Sequence, residues 1–285
     1  RRCSRCDSNM TYHRADAGVP AALICHYCSR RIRYANACPE CHENRMAPSG
    51  VGTHAVVDEV DRIYPRAGTI RWDRDVARTA KAHEEILSTF LHGSERVLVG
   101  TQMVAKGLDI PSVELVGVIS ADTALSIPDF RSGERAFQIL TQVAGRAGRG
   151  INRGDVIMQT FQPDHYAIQA AVIQDFDAFY RTEIESRRSH ANPPFTSIVR
   201  LGISDPNGDS AQSEAFEVAD LLRRASTASG MESVQILGPS PSYPMRMRGV
   251  YRWHILLRGS SPLDLLDQIQ LPHGWTVDVD PVSVA

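Results

Sequence analysis

Beyond Cys41 the sequence contains no cysteine. A disulfide scaffold spreads its cysteines over a small secreted domain, so this chain is not one. No run of about 18 apolar residues occurs, so no membrane span is predicted, and no secretory signal is present. Net charge is only −2. The chain is therefore no polycation, and contact with nucleic acid must come from local patches. No internal repeat and no low-complexity tract is seen. The G-x-x-x-x-G-K-[ST] loop that cradles nucleotide phosphates is missing as well. The acidic stretch Asp58-Glu59-Val60-Asp61 does not replace a magnesium box. It reads as the solvated face of a helix whose apolar side carries Val57 and Val60.

What is present begins with cysteine. All six lie between Cys3 and Cys41, in the pairs Cys3-x-x-Cys6, Cys25-x-x-Cys28 and Cys38-x-x-Cys41. A CxxC turn brings two thiolates to one metal ion, and two such turns complete a tetrahedron. Cys3, Cys6, Cys25 and Cys28 make one full zinc set of structural type, in a reducing, cytoplasmic setting. Cys38 and Cys41 make half a set. Their partners lie upstream of Arg1, or His13, His26 or His42 substitutes, or both are free thiols. The chain opens on Arg1-Arg2 with a cysteine following at once, which reads as a boundary inside a longer fold. Residues 1–49 are basic and poor in apolar side chains, so they need a metal to fold.

Residues 50–192 alternate helices and apolar strands. Helices are predicted over Ala55–Ile63, Thr79–Leu91 and Ser132–Arg149. Strands are predicted over Thr69–Trp72, Val97–Val99, Val113–Ile119 and Val156–Phe161. The third of these is almost wholly apolar, as a strand covered on both faces should be. The alternation argues an α/β lobe with a parallel sheet flanked by helices. After Pro193-Pro194 the order becomes βαββαβ over 193–285, the split-βαβ pattern of an α+β domain.

Two stretches carry chemistry. Gly100 to Pro111, GTQMVAKGLDIP, follows directly on an apolar strand. Gln142 to Arg149, QVAGRAGR, ends a predicted helix. There Gln142, Arg146 and Arg149 are spaced by four and three and share one face. Gly145 and Gly148 remove bulk beside them, and Gly150 is a natural helix stop. Two arginines on one face can be solvated charge of little worth. Glycines beside them weaken a helix unless closeness is needed, and in parallel sheets ligands gather at the carboxyl ends of strands. A fixed guanidinium so placed can stabilise a phosphoryl group in transfer.

Two further patches are basic with aromatics interleaved, as suits single-stranded DNA, or are merely solvated. Arg30, Arg31 and Arg33 lie beside Tyr27 and Tyr34. Arg246, Arg248, Arg252 and Arg258 surround Tyr251 and Trp253. In a strand Tyr251, Trp253 and Ile255 face one way, as core, and Arg252 and His254 form an exposed strip on the other side.

GTQMVAKGLDIPSVELVGVISAD, PDFRSGER and QVAGRAGRG, with the CHYC and CPEC knuckles and the terminal VDVDP, resemble the PriA family of primosomal, superfamily-two DNA helicases. The resemblance covers essentially the whole chain. It implies a second RecA-like helicase lobe followed by a ribosomal S10-like domain that binds DNA and restart proteins. It implies that Gln142, Arg146 and Arg149 line an ATP cleft, with Arg149 the arginine finger and Arg146 the alternative. Gly107 and Asp109 would couple nucleotide to DNA, and Thr101 and Gln102 would touch the DNA backbone. The implied cofactors are ATP with Mg2+ and two zinc ions on eight cysteines, two of which are not among these residues. The implied partners are forked and single-stranded DNA, single-stranded-DNA-binding protein and other primosome proteins. The resemblance further implies 3′ to 5′ polarity, monomeric action and a nucleoid-associated, cytoplasmic setting. Without a phosphate loop, residues 1–285 alone are expected neither to hydrolyse ATP nor to unwind DNA. A zinc-stabilised DNA adaptor without ATPase activity, and another superfamily-two translocase with a zinc insertion, are the competing readings.

Overall fold

The computed structural model describes residues 3–4, 10–13, 21–24, 30–34, 37, 41, 43, 52–73, 75–77, 79–105, 110, 113–127, 129–147 and 154–284. Its contacts divide the chain into two compact units. One holds residues 1–46, 127–132 and 180–285, and the other holds 47–126 and 133–179.

The first unit opens with three short strands, β1 (Thr11–His13), β2 (Ala22–Ile24) and β3 (Arg31–Arg33). They form an antiparallel meander in which Thr11 faces Ile24 and Ile24 faces Arg31. Its small core is Cys3, Met10 and Leu23, with Ile32, Tyr34 and Met247 against it.

The second unit contains α1 (Thr53–Ile63), β4 (Thr69–Trp72), α2 (Ala80–His92), β5 (Val97–Gly100), α3 (Gln102–Ala105), β6 (Leu115–Val118), α4 (Asp122–Leu125), α5 (Ser132–Ala144), β7 (Asp155–Met158) and α6 (Tyr166–Val172). It also takes the first turn of α7 (Phe176–Ser189). Thr79 caps α2 by accepting from Ala82 N–H, which satisfies one orphan donor of the first turn. Asp58, Glu59 and Asp61 are exposed on α1, with Val57 and Val60 half-buried. The acidic stretch is thus a solvated face.

The strands pair in parallel, β4 with β5 and β6 with β7, as two two-stranded sheets among the described residues. The core of Ala121, Phe137, Leu140, Ala167, Ile168, Ala170, Ala171 and Phe179 takes in Val118 and Met158 on one side of β6 and β7. Leu115 and Ile157, on the other side, are exposed. The expectation of a strand covered on both faces is therefore corrected. Among the described residues the helices α5, α6 and α7 cover one face, and the apolar run marks strand tendency rather than a two-sided sandwich.

The remainder of the first unit is β8 (Ser197–Asp205), α8 (Gly208–Ala228), β9 (Gln235–Met247), β10 (Val250–Gly259), α9 (Pro262–Leu266) and β11 (Thr276–Val279). They form a four-stranded antiparallel sheet in the order β11-β8-β10-β9, the split-βαβ arrangement. Asn207 caps α8 through Asp209 and Ser210 N–H. Ala211, Ala215, Val218, Ala219 and Leu222 recur at helical spacing and are buried. Val199, Leu201, Ile255, Leu257 and Leu265 complete that core at 0% exposure. Each such side chain contributes about 1.5–3 kcal/mol of burial, so Leu257→Ala would cost about 2–5 kcal/mol.

Candidate functional site

The helix α5 buries Gly133, Ala136, Phe137, Leu140 and Ala144 as one stripe and leaves Gln142 exposed. It ends at Ala144, not at Arg149. Gly145 N–H still bonds Thr141 O at 2.9 Å, but Arg146 N–H bonds Val143 O at 3.0 Å and Ala147 N–H bonds Ala144 O at 3.4 Å. These last two are the i to i−3 bonds of a tightened turn. The two glycines lower helix propensity here by about 1 kcal/mol each, and the α-helix gives way at the first of them. Gln142 and the half-buried Arg146 are therefore not stacked by helical spacing. Arg149 lies outside the described residues. An added methyl at Gly145 would meet only Thr141 O at 3.4 Å and Gln142 O at 3.8 Å. Packing within this unit does not require glycine there.

The motif lies where β7 begins, since Gly154 leads into that strand. A cavity of about 390 Å³ there is lined by Ala144, Ala147, Gly154, Val156, Met158, Val172 and Gln174. The expectation that the motif sits at the carboxyl ends of the strands is corrected by this connectivity. α5 runs back past the sheet to the amino end of the next strand.

GTQM does follow a carboxyl end. Trp72 pairs with Gly100 where β4 and β5 finish. A methyl on Gly100 would run into Trp72 O and Val104 Cγ2, so only glycine lets the chain turn here. Thr101 accepts from Val104 N–H through its carbonyl at 3.0 Å and is exposed, as is Gln102, the first residue of α3. Both side chains are available to a ligand. Gly107 and Asp109 lie outside the described residues.

Beside them, after β4, stands a residue that sequence reasoning missed. Asp73 is buried. Its carboxylate accepts the Thr53 hydroxyl at 2.5 Å and the N–H groups of Asp75 and Val76 at 2.9 and 3.2 Å, and it pairs with Arg71 Nε at 3.2 Å. Burial pushes its pKa up, but the Thr53 bond, the Arg71 charge and the two N–H groups together hold it below the ordinary carboxylate value. It shapes the turn beside Thr101. Trp72 Nε1 donates to His83 Nδ1 at 2.7 Å, which places any proton of neutral His83 on Nε2.

A second carboxylate organises the other strand pair. Asp122 accepts the Thr160 hydroxyl at 2.9 Å and Phe161 N–H at 3.1 Å. Desolvation raises its pKa, yet these bonds hold it below the usual range. Phe161, carried on that loop, is 93% exposed.

Of the candidate zinc ligands, Cys3 is buried and Cys41 is exposed. Cys6, Cys25, Cys28 and Cys38 lie outside the described residues. Among the described residues no group of three or more metal-binding side chains occurs. The meander register is informative. Thr11 opens β1 opposite Ile24, which closes β2 and directly precedes Cys25.

The two basic patches are corrected in part. Arg30, Arg31 and Arg33 are exposed, but Tyr34 packs against the Cys3 core and Tyr27 lies outside the described residues. Trp253 is buried as expected. Tyr251 is half-buried with the Arg246 guanidinium 4.7 Å over its ring, and Arg246 donates to Ser4 O. Arg252 and His254 are half-buried rather than an exposed strip.

Residues 73–150 match the Helicase conserved C-terminal domain, and residues 188–282 match the Primosomal protein N C-terminal domain. The class is therefore a helicase-type RecA-like lobe joined to a primosomal C-terminal domain. The chain is 42% identical over 256 residues to the replication restart protein PriA of Bacillus subtilis, covering 90% of this chain and 31% of the relative. It is 36% identical to the proteins of that name from Synechocystis and Treponema pallidum, covering 99% of this chain in each case and 34% and 43% of the relatives. The chain belongs to the PriA family and spans about a third of the length of these relatives.

Proposed function

We propose that this chain is the second motor lobe, with the flanking zinc and C-terminal regions, of an ATP-dependent 3′ to 5′ DNA helicase that remodels stalled forks and promotes primosome assembly. The domains are residues 1–49, zinc-binding; 50–192, RecA-like; and 193–285, S10-like. The observation that carries the reading is the content of the helicase-matched segment. Residues 73–150 hold both GTQM, with Thr101 and Gln102 exposed at the end of β5, and QVAGRAGR at the end of α5.

In this reading Arg149, with Arg146 as alternative, meets the γ-phosphate of ATP bound with Mg2+ on a partner lobe, and Gln142 lines the same cleft. Gly107 and Asp109 relay nucleotide state to the strand that Thr101 and Gln102 touch. A guanidinium there acts by stabilising charge on the transferred phosphoryl group. Cys3, Cys6, Cys25 and Cys28 would hold one zinc. Cys38 and Cys41 would hold a second, with ligands from elsewhere in the parent. Zinc would supply folding energy rather than chemistry. Forked DNA, single-stranded-DNA-binding protein and primosome proteins are the proposed partners of a monomeric, cytoplasmic, nucleoid-associated enzyme.

The test is Arg149→Ala and Arg146→Ala in the full-length parent. Loss of an arginine finger lowers ATPase kcat by about 10³-fold or more while fork binding at low salt persists. Unchanged kcat in both variants would remove the finger assignment, and a full-length parent without DNA-stimulated ATPase would overturn the motor reading in favour of an adaptor.

A further inference from the structure

The outer face of the C-terminal sheet holds a cluster that neither the motor nor the cysteine region uses. Along β8, Val199, Leu201 and Ile203 point to the core, so Arg200 and Gly202 point away. Along β10, Trp253, Ile255 and Leu257 are buried, so Arg252 and His254 point away. The register sets His254 opposite Gly202 and Arg252 opposite Ser204. On the other flank Thr276 lies opposite Gly202 and Asp278 opposite Arg200.

Gly202 leaves a bare floor. An added Cβ would stand 2.8 Å from Thr276 Oγ1 and 3.5 Å from Arg200 Nη1, so the Arg200 guanidinium lies over backbone. It is fixed there, because Arg200 Nη2 donates to Ser242 Oγ at 3.0 Å. Ser242, itself buried, is 3.2 Å from His254 Nδ1. Burial first, then the charges of Arg200 and Arg252, push the His254 pKa down to about 4, so the imidazole is neutral near pH 7. The donor between Ser242 Oγ and Nδ1 is set by the imidazole tautomer, and in the Nε2–H tautomer the Ser242 hydroxyl donates to Nδ1.

In the Nε2–H tautomer the face offers more donors than acceptors: the remaining N–H groups of Arg200, the Arg252 guanidinium and His254 Nε2–H, against the Asp278 carboxylate opposite Arg200 and the Thr276 hydroxyl opposite Gly202. Arg200 Nε is buried with no hydrogen-bond partner among the described residues. No carboxylate lies within ion-pair distance of Arg200 or Arg252 among the described residues. Asp278 acts on Arg200 only through its more distant field. Water can satisfy the donors, but it does not neutralise two neighbouring, partly desolvated cations. An anion does both.

We propose that Arg200, Arg252 and His254 form a phosphate-binding site on the outer face of the C-terminal sheet. Phosphate suits the cluster better than a carboxylate does. A free phosphate brings four oxygens and up to two negative charges to three donor groups and two guanidinium groups, and a backbone phosphodiester brings two non-bridging oxygens and one charge. The phosphate can be a free ion or a link in a nucleic-acid backbone. The proposal does not depend on the motor reading.

His254 is the reporter, because a phosphate beside it favours the imidazolium. Its pKa is measured by NMR of the ring nitrogens in the 285-residue chain at constant ionic strength in chloride. Inorganic phosphate is titrated in one arm and a short single-stranded oligonucleotide in the other. The expected result is a saturable rise of about one unit or more, with half-saturation about tenfold weaker in Arg252→Gln. Arg200→Gln should behave alike, and Arg252→Gln carries the test if Arg200→Gln does not fold. A rise in both arms, or with the oligonucleotide alone, identifies a backbone phosphate. A rise with inorganic phosphate alone identifies a free ion. No saturable rise in either arm, or an identical titration in Arg252→Gln, overturns the site.

Discussion

Ser283 donates its hydroxyl proton to the buried carboxylate of Asp129 at 2.7 Å, across 154 positions of sequence. The same carboxylate accepts Val284 N–H at 3.3 Å and Arg131 N–H at 2.9 Å, while Arg131 Nη1 donates to Pro281 O at 2.8 Å. The Arg131 and Arg187 guanidinium groups lie 4.3 and 5.3 Å from the Phe130 ring centre. The DFR stretch lies between α4 and α5 in the chain, yet it packs with residues 180–285. It clasps residues 281–284. Asp129→Ala leaves half-buried donors unmatched and should cost about 1 kcal/mol or more, with faster amide exchange at Val284. In a double-mutant cycle Ser283→Ala and Asp129→Ala should be coupled rather than additive. Additive losses would show that the bond contributes nothing.

Glycines separate by what surrounds them. Gly100→Ala forces a methyl into Trp72 O, a backbone atom that cannot swing aside, and should destabilise the chain by about 1–3 kcal/mol. Gly117 has nothing within 4 Å of an added Cβ, so Gly117→Ala should be neutral or stabilising by up to about 1 kcal/mol. Gly145→Ala should likewise leave stability intact. In the full-length parent it should nonetheless depress ATPase if the glycine clears room for nucleotide. Urea midpoints of the three variants check the order, and a Gly100→Ala midpoint equal to that of Gly117→Ala contradicts it.

Much of this was legible in periodicity and little in burial. Thr69–Trp72 and the β5 strand stand where the alternation placed them, because β-branched runs bounded by glycine leave few alternatives. β9 runs from Gln235 to Met247 and so passes through three prolines. Pro239, Pro241 and Pro244 argue against a strand, but β9 is an edge strand, where a missing N–H costs no ladder bond. The end of α5 was misjudged, since spacing alone does not show where two glycines outweigh one more helical turn. Asp73 carried no signal at all. Its partner Thr53 is 20 residues away, and only the fold brings them together. Arg200 was passed over for the same reason, because a lone arginine in a strand gives no hint of the neighbours that meet it across the sheet.

Asp122 ties the loop after β7 by bonds to Thr160 and Phe161, so the exposed Phe161 ring stands on a held backbone. Asp122→Ala should speed exchange of the Phe161 amide by about tenfold with little change in thermal midpoint. Phe161→Ala should leave stability within about 0.5 kcal/mol. A large loss of stability in Phe161→Ala would mean that the ring packs in solution, against its 93% exposure.

His254 gives the C-terminal sheet a pH dependence with a definite sign. Its folded pKa, about 4, lies below its ordinary 6.5, through burial and then the Arg200 and Arg252 charges. Between these values the unfolded chain binds the extra proton, so stability rises with pH from about 4 to 6.5 and is flat above. The full shift corresponds to about 3 kcal/mol. The ring is partly open to solvent, so about half of that is the expected size. His254→Gln keeps a side chain of similar reach without the charge. Its urea midpoint should lose the slope between pH 4 and 6.5 that the parent shows. The lowered Asp73 pKa acts in a separate window, since its contribution is present above the ordinary value of 3.8 and is lost only as pH falls through the folded value below it. A His254→Gln profile that still climbs steeply from pH 4.5 to 6.5 would assign the slope to another group and remove the electrostatic account of this cluster.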